Sequence, residues 1–121
     1  MAVRVLLVDD TAFMRRMLRE ILTREGYEIA AEARNGREAV ERYRQVRPDL
    51  VVMDITMPEM DGIAAVREIL DRDPGARIIM CSALGQEEPI IEALEAGAQD
   101  FVLKPFLPEK VLEAVVKVAG G

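Results

Sequence analysis

The sequence predicts an α/β fold, a doubly wound parallel sheet of five strands with five helices on both faces. Three observations carry that prediction. Apolar runs alternate with amphipathic segments five times along the 121 residues. All but one of those runs are near-continuously apolar, as strands covered on both faces are. Four of them end in polar side chains: Val3–Val8 in Asp9-Asp10, Leu50–Met53 in Asp54, Ile78–Cys81 in Ser82, and Phe101–Leu103 in Lys104. In an open parallel sheet those ends share one edge, where ligands bind.

The first strand spans Val3–Val8. A helix follows over Thr11–Glu25, with Met14, Met17, Leu18, Ile21 and Leu22 on one face at helical spacing. Gly26 closes it. Tyr27–Glu32 is the half-polar strand, which places it at a sheet edge. Asn35-Gly36 begins a helix through Val46 with Val40 and Tyr43 inward, stopped by Pro48. Asp49–Asp54 is the third strand. Asp61-Gly62 opens a helix to about Leu70, with Val66, Ile69 and Leu70 inward, and Asp73-Pro74-Gly75 is a turn. Arg77–Ser82 is the fourth strand, followed by a helix from about Glu88 to Ala96 closed by Gly97. Gln99–Lys104 is the fifth strand, and Pro108 starts a last helix that ends near Val118. The length predicts one domain over residues 1–121.

Composition removes several function classes. Half the residues are hydrophobic and 31% are charged, a globular balance. A net charge of −6 disfavours nucleic acid, which needs a basic patch. One cysteine cannot form an internal disulfide, and Cys81 reads as a small buried residue in a reducing compartment. No apolar stretch is long enough to span a bilayer, so the expected location is cytoplasmic and no membrane partner is expected. One Asn, no His, no Trp and many Arg and Glu lean toward a thermophilic source.

The strand ends define the chemistry. Asp9, Asp10 and Asp54 repel one another unless a cation joins them. An acid cluster with one Lys and one hydroxyl, in a chain without His, suits Mg²⁺ and a phosphoryl group. No Gly-rich loop follows the first strand, which disfavours a nucleotide or flavin phosphate there. Asp54 as a mere cap of the next segment is disfavoured, because Asp61 already starts the next helix. One acid of the Asp9-Asp10 pair is expected to cap the first helix, with Asp10 the candidate. Met57, Met60 and Ile63 read as core.

LLVDD (residues 6–10), MDITMPEMDG (53–62), MCSALG (80–85) and EAGAQDFVLKPF (95–106), in that order and spacing, are similar to the receiver domains of two-component response regulators. The resemblance covers essentially the whole chain and is nearest to the chemotaxis receivers. It implies the flavodoxin-like strand order 2-1-3-4-5. It implies that Asp54 accepts a phosphoryl group from a histidine kinase. It also implies that Asp10 and Asp54 bind Mg²⁺ directly, that Asp9 binds through water, and that the backbone carbonyl of Thr56 adds an oxygen. Lys104 would contact a phosphoryl oxygen, aimed by a cis Lys104–Pro105 bond. Ser82 would donate its hydroxyl, and Phe101 would change rotamer with it; on sequence grounds Phe101 reads equally as an apolar strand residue facing a helix. Thr56 and Leu84 lie where relatives modulate dephosphorylation, and neither offers an acid or amide. The implied protein is a monomeric, stand-alone receiver and not an enzyme. Its partners would be a chemotaxis histidine kinase, a phosphatase and the flagellar motor switch protein, through which it would control flagellar rotation. A phosphorelay intermediate is the alternative in the same chemistry. An Asp-nucleophile phosphatase usually carries a second Asp two residues after the first, where this chain has Thr56.

Overall fold

The computed structural model describes residues 2–120. Ten elements alternate strictly: β1 Arg4–Val8, α1 Ala12–Arg24, β2 Glu28–Ala33, α2 Gly36–Val46, β3 Leu50–Asp54, α3 Gly62–Arg72, β4 Ile78–Ser82, α4 Glu87–Ala96, β5 Asp100–Leu103 and α5 Pro108–Ala119. The five strands form one parallel sheet in the order β2-β1-β3-β4-β5. The expected architecture and strand order are therefore those observed. Element ends differ from the sequence reading by a residue or two, the usual latitude of fraying termini. Tyr27, read as the start of the second strand, lies before β2, and α3 continues to Arg72.

The period of two along each strand divides the core. Leu6, Val8, Val51, Met53, Ile78 and Met80 face one way and pack with Ala39 and Val40 of α2, Val66 and Ile69 of α3, and Ala93 of α4. Val5, Leu7, Leu50, Val52, Ile79 and Cys81 face the other way and pack with Leu18 and Leu22 of α1 and Val111 and Val115 of α5. Both faces of β1, β3 and β4 are thus buried, which explains their unbroken apolar runs. Met57 and Ile63 are buried and Met60 packs against the same core, as the sequence suggested.

The edges depart from that pattern for a physical reason. Each has a neighbour on one side only. β2 keeps one fully buried residue, Ala33. In β5 only Val102 is buried, between the exposed Phe101 and Leu103.

Two local devices set the loop before α3. Asp61 accepts the Ala64 N–H at 2.9 Å, a side-chain cap that fixes where α3 begins. Gly62 donates to the Ile55 carbonyl at 2.7 Å, and Gly36 donates to the Met60 carbonyl at 2.8 Å. A Cβ on Gly62 would lie 2.2 Å from the Asp54 carbonyl oxygen, and one on Gly36 would lie 2.3 Å from that of Met60. Only glycine permits either approach. The chain leaving Asp54 is therefore pinned at both ends by backbone.

Candidate phosphoacceptor site

Asp54 is the last residue of β3, Ser82 the last of β4, and Asp9 follows β1 directly. The ladders continue past the strand ends. Asp9 donates its N–H to the Ala33 carbonyl at 3.1 Å, and Lys104 donates its N–H to the Ser82 carbonyl at 2.8 Å. These bonds register four side chains from distant parts of the sequence along one edge. The Lys104–Pro105 bond is cis, as the resemblance implied.

Asp9 and Asp54 are almost wholly buried, and Asp10 is exposed. One carboxylate oxygen from each of the three lies within 4.8 Å of the others. The Lys104 ammonium sits 3.0 Å from Asp9 Oδ2 and 3.2 Å from Asp54 Oδ2. A single ammonium thus contacts two of the three carboxylates. Burial raises the Asp54 pKa above the ordinary aspartate value; Lys104 opposes that rise, and Asp9 and Asp10 add to it. For Lys104 burial acts downward, but Asp9 and Asp54 outweigh it and hold the ammonium above its ordinary value.

The donor set decides which ion fits. All three groups are carboxylates, the chain has no His, and its one thiol, Cys81, is buried with its pKa pushed up by desolvation. Hard oxygen ligands in this number suit Mg²⁺. Two oxygens bound to one Mg²⁺ lie at most about 4.2 Å apart and a water-bridged one reaches further. The three oxygens are close enough together for one such ion to engage the cluster.

The structure corrects the expected cap. Asp10 does not close the first turn of α1. Thr11 occupies the cap position without a side-chain cap bond. Asp9 Oδ1 instead accepts from Thr11 N–H at 2.9 Å and from the Thr11 hydroxyl at 2.8 Å. The other Asp9 oxygen remains for Lys104, and Asp10 stays free of the helix. The Arg15 guanidinium donates to the Asp9 carbonyl, a contact that the sequence reading missed.

Ser82 is fully buried, and its hydroxyl donates to the Ala83 carbonyl at 3.0 Å, with no bond to the acid cluster. Phe101 is 37% exposed on β5, opposite Met80 in the ladder. Phe101, Leu103, Pro105, Leu107, Lys110 and Lys117 line a groove of about 500 Å³ between β5 and α5. Thr56 lies two residues beyond Asp54, and its hydroxyl accepts from Gln86 Nε2 at 2.8 Å. Gln86 is the second residue that the sequence reading missed; its one signal is a long amide at the cap position of α4, where short polar residues are usual.

Comparison with known proteins agrees with this geometry. The response regulator receiver domain family matches residues 5–116. The chemotaxis protein CheY of Thermotoga maritima is 60% identical over 98% of this chain and 99% of its own length. That of Bacillus subtilis is 59% identical over 97% of this chain and 98% of its own length. Among solved structures, CheY in a CheX–CheY–BeF₃–Mg²⁺ complex from Borrelia burgdorferi superposes with a TM-score of 0.91 at 43% identity, covering 95% of this chain and 87% of that one. The response regulator domain of Thermotoga maritima CheB gives 0.92 at 35% identity, covering 100% and 98%. With the family matched across both cores and the acidic strand ends, this chain belongs to the response regulator receiver domains.

Proposed function

We propose that Asp54 accepts a phosphoryl group from the phosphohistidine of a chemotaxis histidine kinase, and that the phosphorylated chain binds the flagellar motor switch. The observation that carries this reading is the buried Asp54 carboxylate at a strand end, 3.2 Å from Lys104 and inside a group of acids that one ammonium does not balance. Such a site has a nucleophile and a deficit of positive charge.

In the transfer, an Asp54 oxygen forms a bond to phosphorus while the bond from phosphorus to the imidazole nitrogen breaks and the imidazole leaves with its electron pair. Lys104 turns from Asp54 Oδ2 toward a phosphoryl oxygen and offsets the new charge. Ser82 gives up the Ala83 carbonyl and donates to another phosphoryl oxygen. Asp10 and Asp54 would hold Mg²⁺ directly, Asp9 through water and Thr56 through its carbonyl; bound there, the ion supplies the positive charge that lets two anionic groups meet. The acceptor is consumed and regenerated, so the chain acts as a signalling domain; its own reactions are self-phosphorylation and slow hydrolysis. Neither Thr56 nor Leu84 carries an acid or amide to orient water, which supports dependence on a separate phosphatase.

The output surface is the apolar strip of α4, β5 and α5. Ile91, Leu94, Phe101, Leu103 and Leu107 are exposed there, and Lys110 and Lys117 rim the groove. Two forms exchange, and the phosphoryl group shifts their populations. The decisive experiment exposes the chain to acetyl phosphate with Mg²⁺ and reads intact mass. One base-labile phosphate is expected, absent without Mg²⁺ and absent in Asp54→Asn; wild-type labelling of that variant would overturn the assignment. Titration with a motor-switch peptide tests the output. The fluoroberyllate-bound chain should bind it about fivefold tighter or more, and equal affinity for both forms would favour the phosphorelay role.

A further inference from the structure

Two loops flank Asp54: residues 55–61 after β3, and residues 83–86 between β4 and α4. One side chain ties them together. Gln86 Nε2 donates to the Thr56 hydroxyl at 2.8 Å, and Gln86 Oε1 accepts the Ala83 N–H at 2.7 Å. Ala83 is held at its other backbone group as well, because its carbonyl takes the Ser82 hydroxyl at 3.0 Å.

The position explains why the side chain is available. Gln86 is the cap residue of α4, and its carbonyl accepts the Ile90 N–H at 3.0 Å as a cap should. A cap side chain ordinarily accepts from the second or third N–H of the helix. The third residue here is Pro89, which has no N–H. The amide makes no cap bond and reaches across to the facing loop instead.

We infer that Gln86 is a positioning residue, a clasp that holds the Ser82 loop in its resting arrangement and must open before Ser82 can serve a phosphoryl group on Asp54. A serine hydroxyl has one proton to donate. To donate it to a phosphoryl oxygen, Ser82 must leave the Ala83 carbonyl, which frees the chain after it to shift toward Asp54. That motion carries the Ala83 N–H away from Gln86 Oε1, whose amide is anchored on Thr56. The clasp therefore favours the resting form and sets how readily the site accepts its charge. The inference rests on the phosphoacceptor role proposed for Asp54.

Calorimetric titration with beryllium fluoride at saturating Mg²⁺, on the whole chain, separates the two ideas. Gln86→Ala should bind the mimic about three- to tenfold more tightly than wild type, the scale of one or two surface hydrogen bonds. Thr56→Val removes the anchor and keeps the backbone carbonyl; it should shift affinity the same way by a smaller factor. The double variant should bind no tighter than Gln86→Ala. The Ala83 amide proton supplies a signature that mere stability would not move. It should shift upfield in Gln86→Ala without ligand, and in wild type only when the mimic binds. Unchanged or weakened affinity in Gln86→Ala, or an Ala83 signal indifferent to the mimic in wild type, overturns the clasp and leaves the phosphoacceptor standing. Failure of wild type itself to take up the mimic overturns both.

Discussion

Two clusters of charge lie a few residues apart in this molecule and behave in opposite ways. On the outer side of β2, Glu32 receives Arg15 at 3.0 Å and Arg19 at 2.5 Å, so one carboxylate is shared by two guanidiniums. At the carboxyl end of the sheet, Asp9 and Asp54 share Lys104, and the third carboxylate of the cluster, Asp10, has no part in that pairing. The first cluster satisfies its acid and fastens α1 to the sheet edge. The second leaves negative charge uncompensated in a buried place, which disfavours the folded state until something positive arrives. The sign of the imbalance separates a structural staple from a binding site. Arg15 touches both, since it pairs with Glu32 and donates to the Asp9 carbonyl.

If that contrast is right, metal gives the largest effect. Mg²⁺ should raise the unfolding free energy by about 2.7 kcal/mol once its free concentration reaches a hundred times Kd. Thermal unfolding in MgCl₂ against EDTA at matched ionic strength reads this, and Asp10→Asn should abolish the rise. Absence of any Mg²⁺-specific rise would break the comparison.

Removing an acid should then have opposite signs in the two places. Asp54→Asn in EDTA should stabilise the chain at neutral pH, by less than the metal does. The folded Asp54 carboxyl holds its proton more tightly than the unfolded one. Stability is therefore lost as pH rises from the ordinary aspartate range through the raised folded value, and the penalty is complete above it. The variant's advantage should shrink as pH falls through that window. Lys104 gives a slope of the same sign for the opposite reason: its charged form is the stabilising one, so its contribution is present below the ordinary lysine range and is lost as pH climbs through the raised folded value. Denaturant titrations across the acid range check Asp54, and those across the alkaline range check Lys104.

The smallest effect belongs to the staple. Glu32→Gln leaves Arg15, only 12% exposed, without its carboxylate. The loss should be about 1 kcal/mol, discounted because Arg19 is 45% exposed and screened. It should diminish in high salt. Urea unfolding at two ionic strengths measures it; a gain in stability would show that Glu32 too is part of an acidic excess.

Much of this was legible in the sequence because the sheet writes both messages in one place. Strands buried on two faces must be apolar throughout, so the first polar residue after each run, Asp9, Asp54, Ser82 or Lys104, marks the edge where function gathers. The edge strand β2 was legible from its half-polar composition for the same reason. What stayed hidden is contact between segments far apart in the chain. Gln86 meets Thr56 across a gap of 30 residues, and the long amide at the cap of α4 does not say which loop it reaches. Arg15 finds its partner Glu32 only once β2 lies beside α1. The Asp10 cap failed because Thr11 takes the cap position itself, with its N–H and hydroxyl both tied to Asp9 Oδ1. The resting bond of Ser82 to its own neighbour was equally out of reach, since hydroxyl direction is set by loop conformation.

The glycine contacts around the Asp54 loop have a consequence for how this site can change over time. Gly36 and Gly62 bring backbone against backbone with no room for a single added carbon. The path of the chain leaving Asp54 is therefore set by peptide groups, while the exposed side chains of Pro58 and Glu59 only decorate that path. Chemical lifetime and partner preference can drift residue by residue at those outward positions without disturbing where the nucleophile points. The geometry itself has no gradual route to another form, and would be inherited whole or lost.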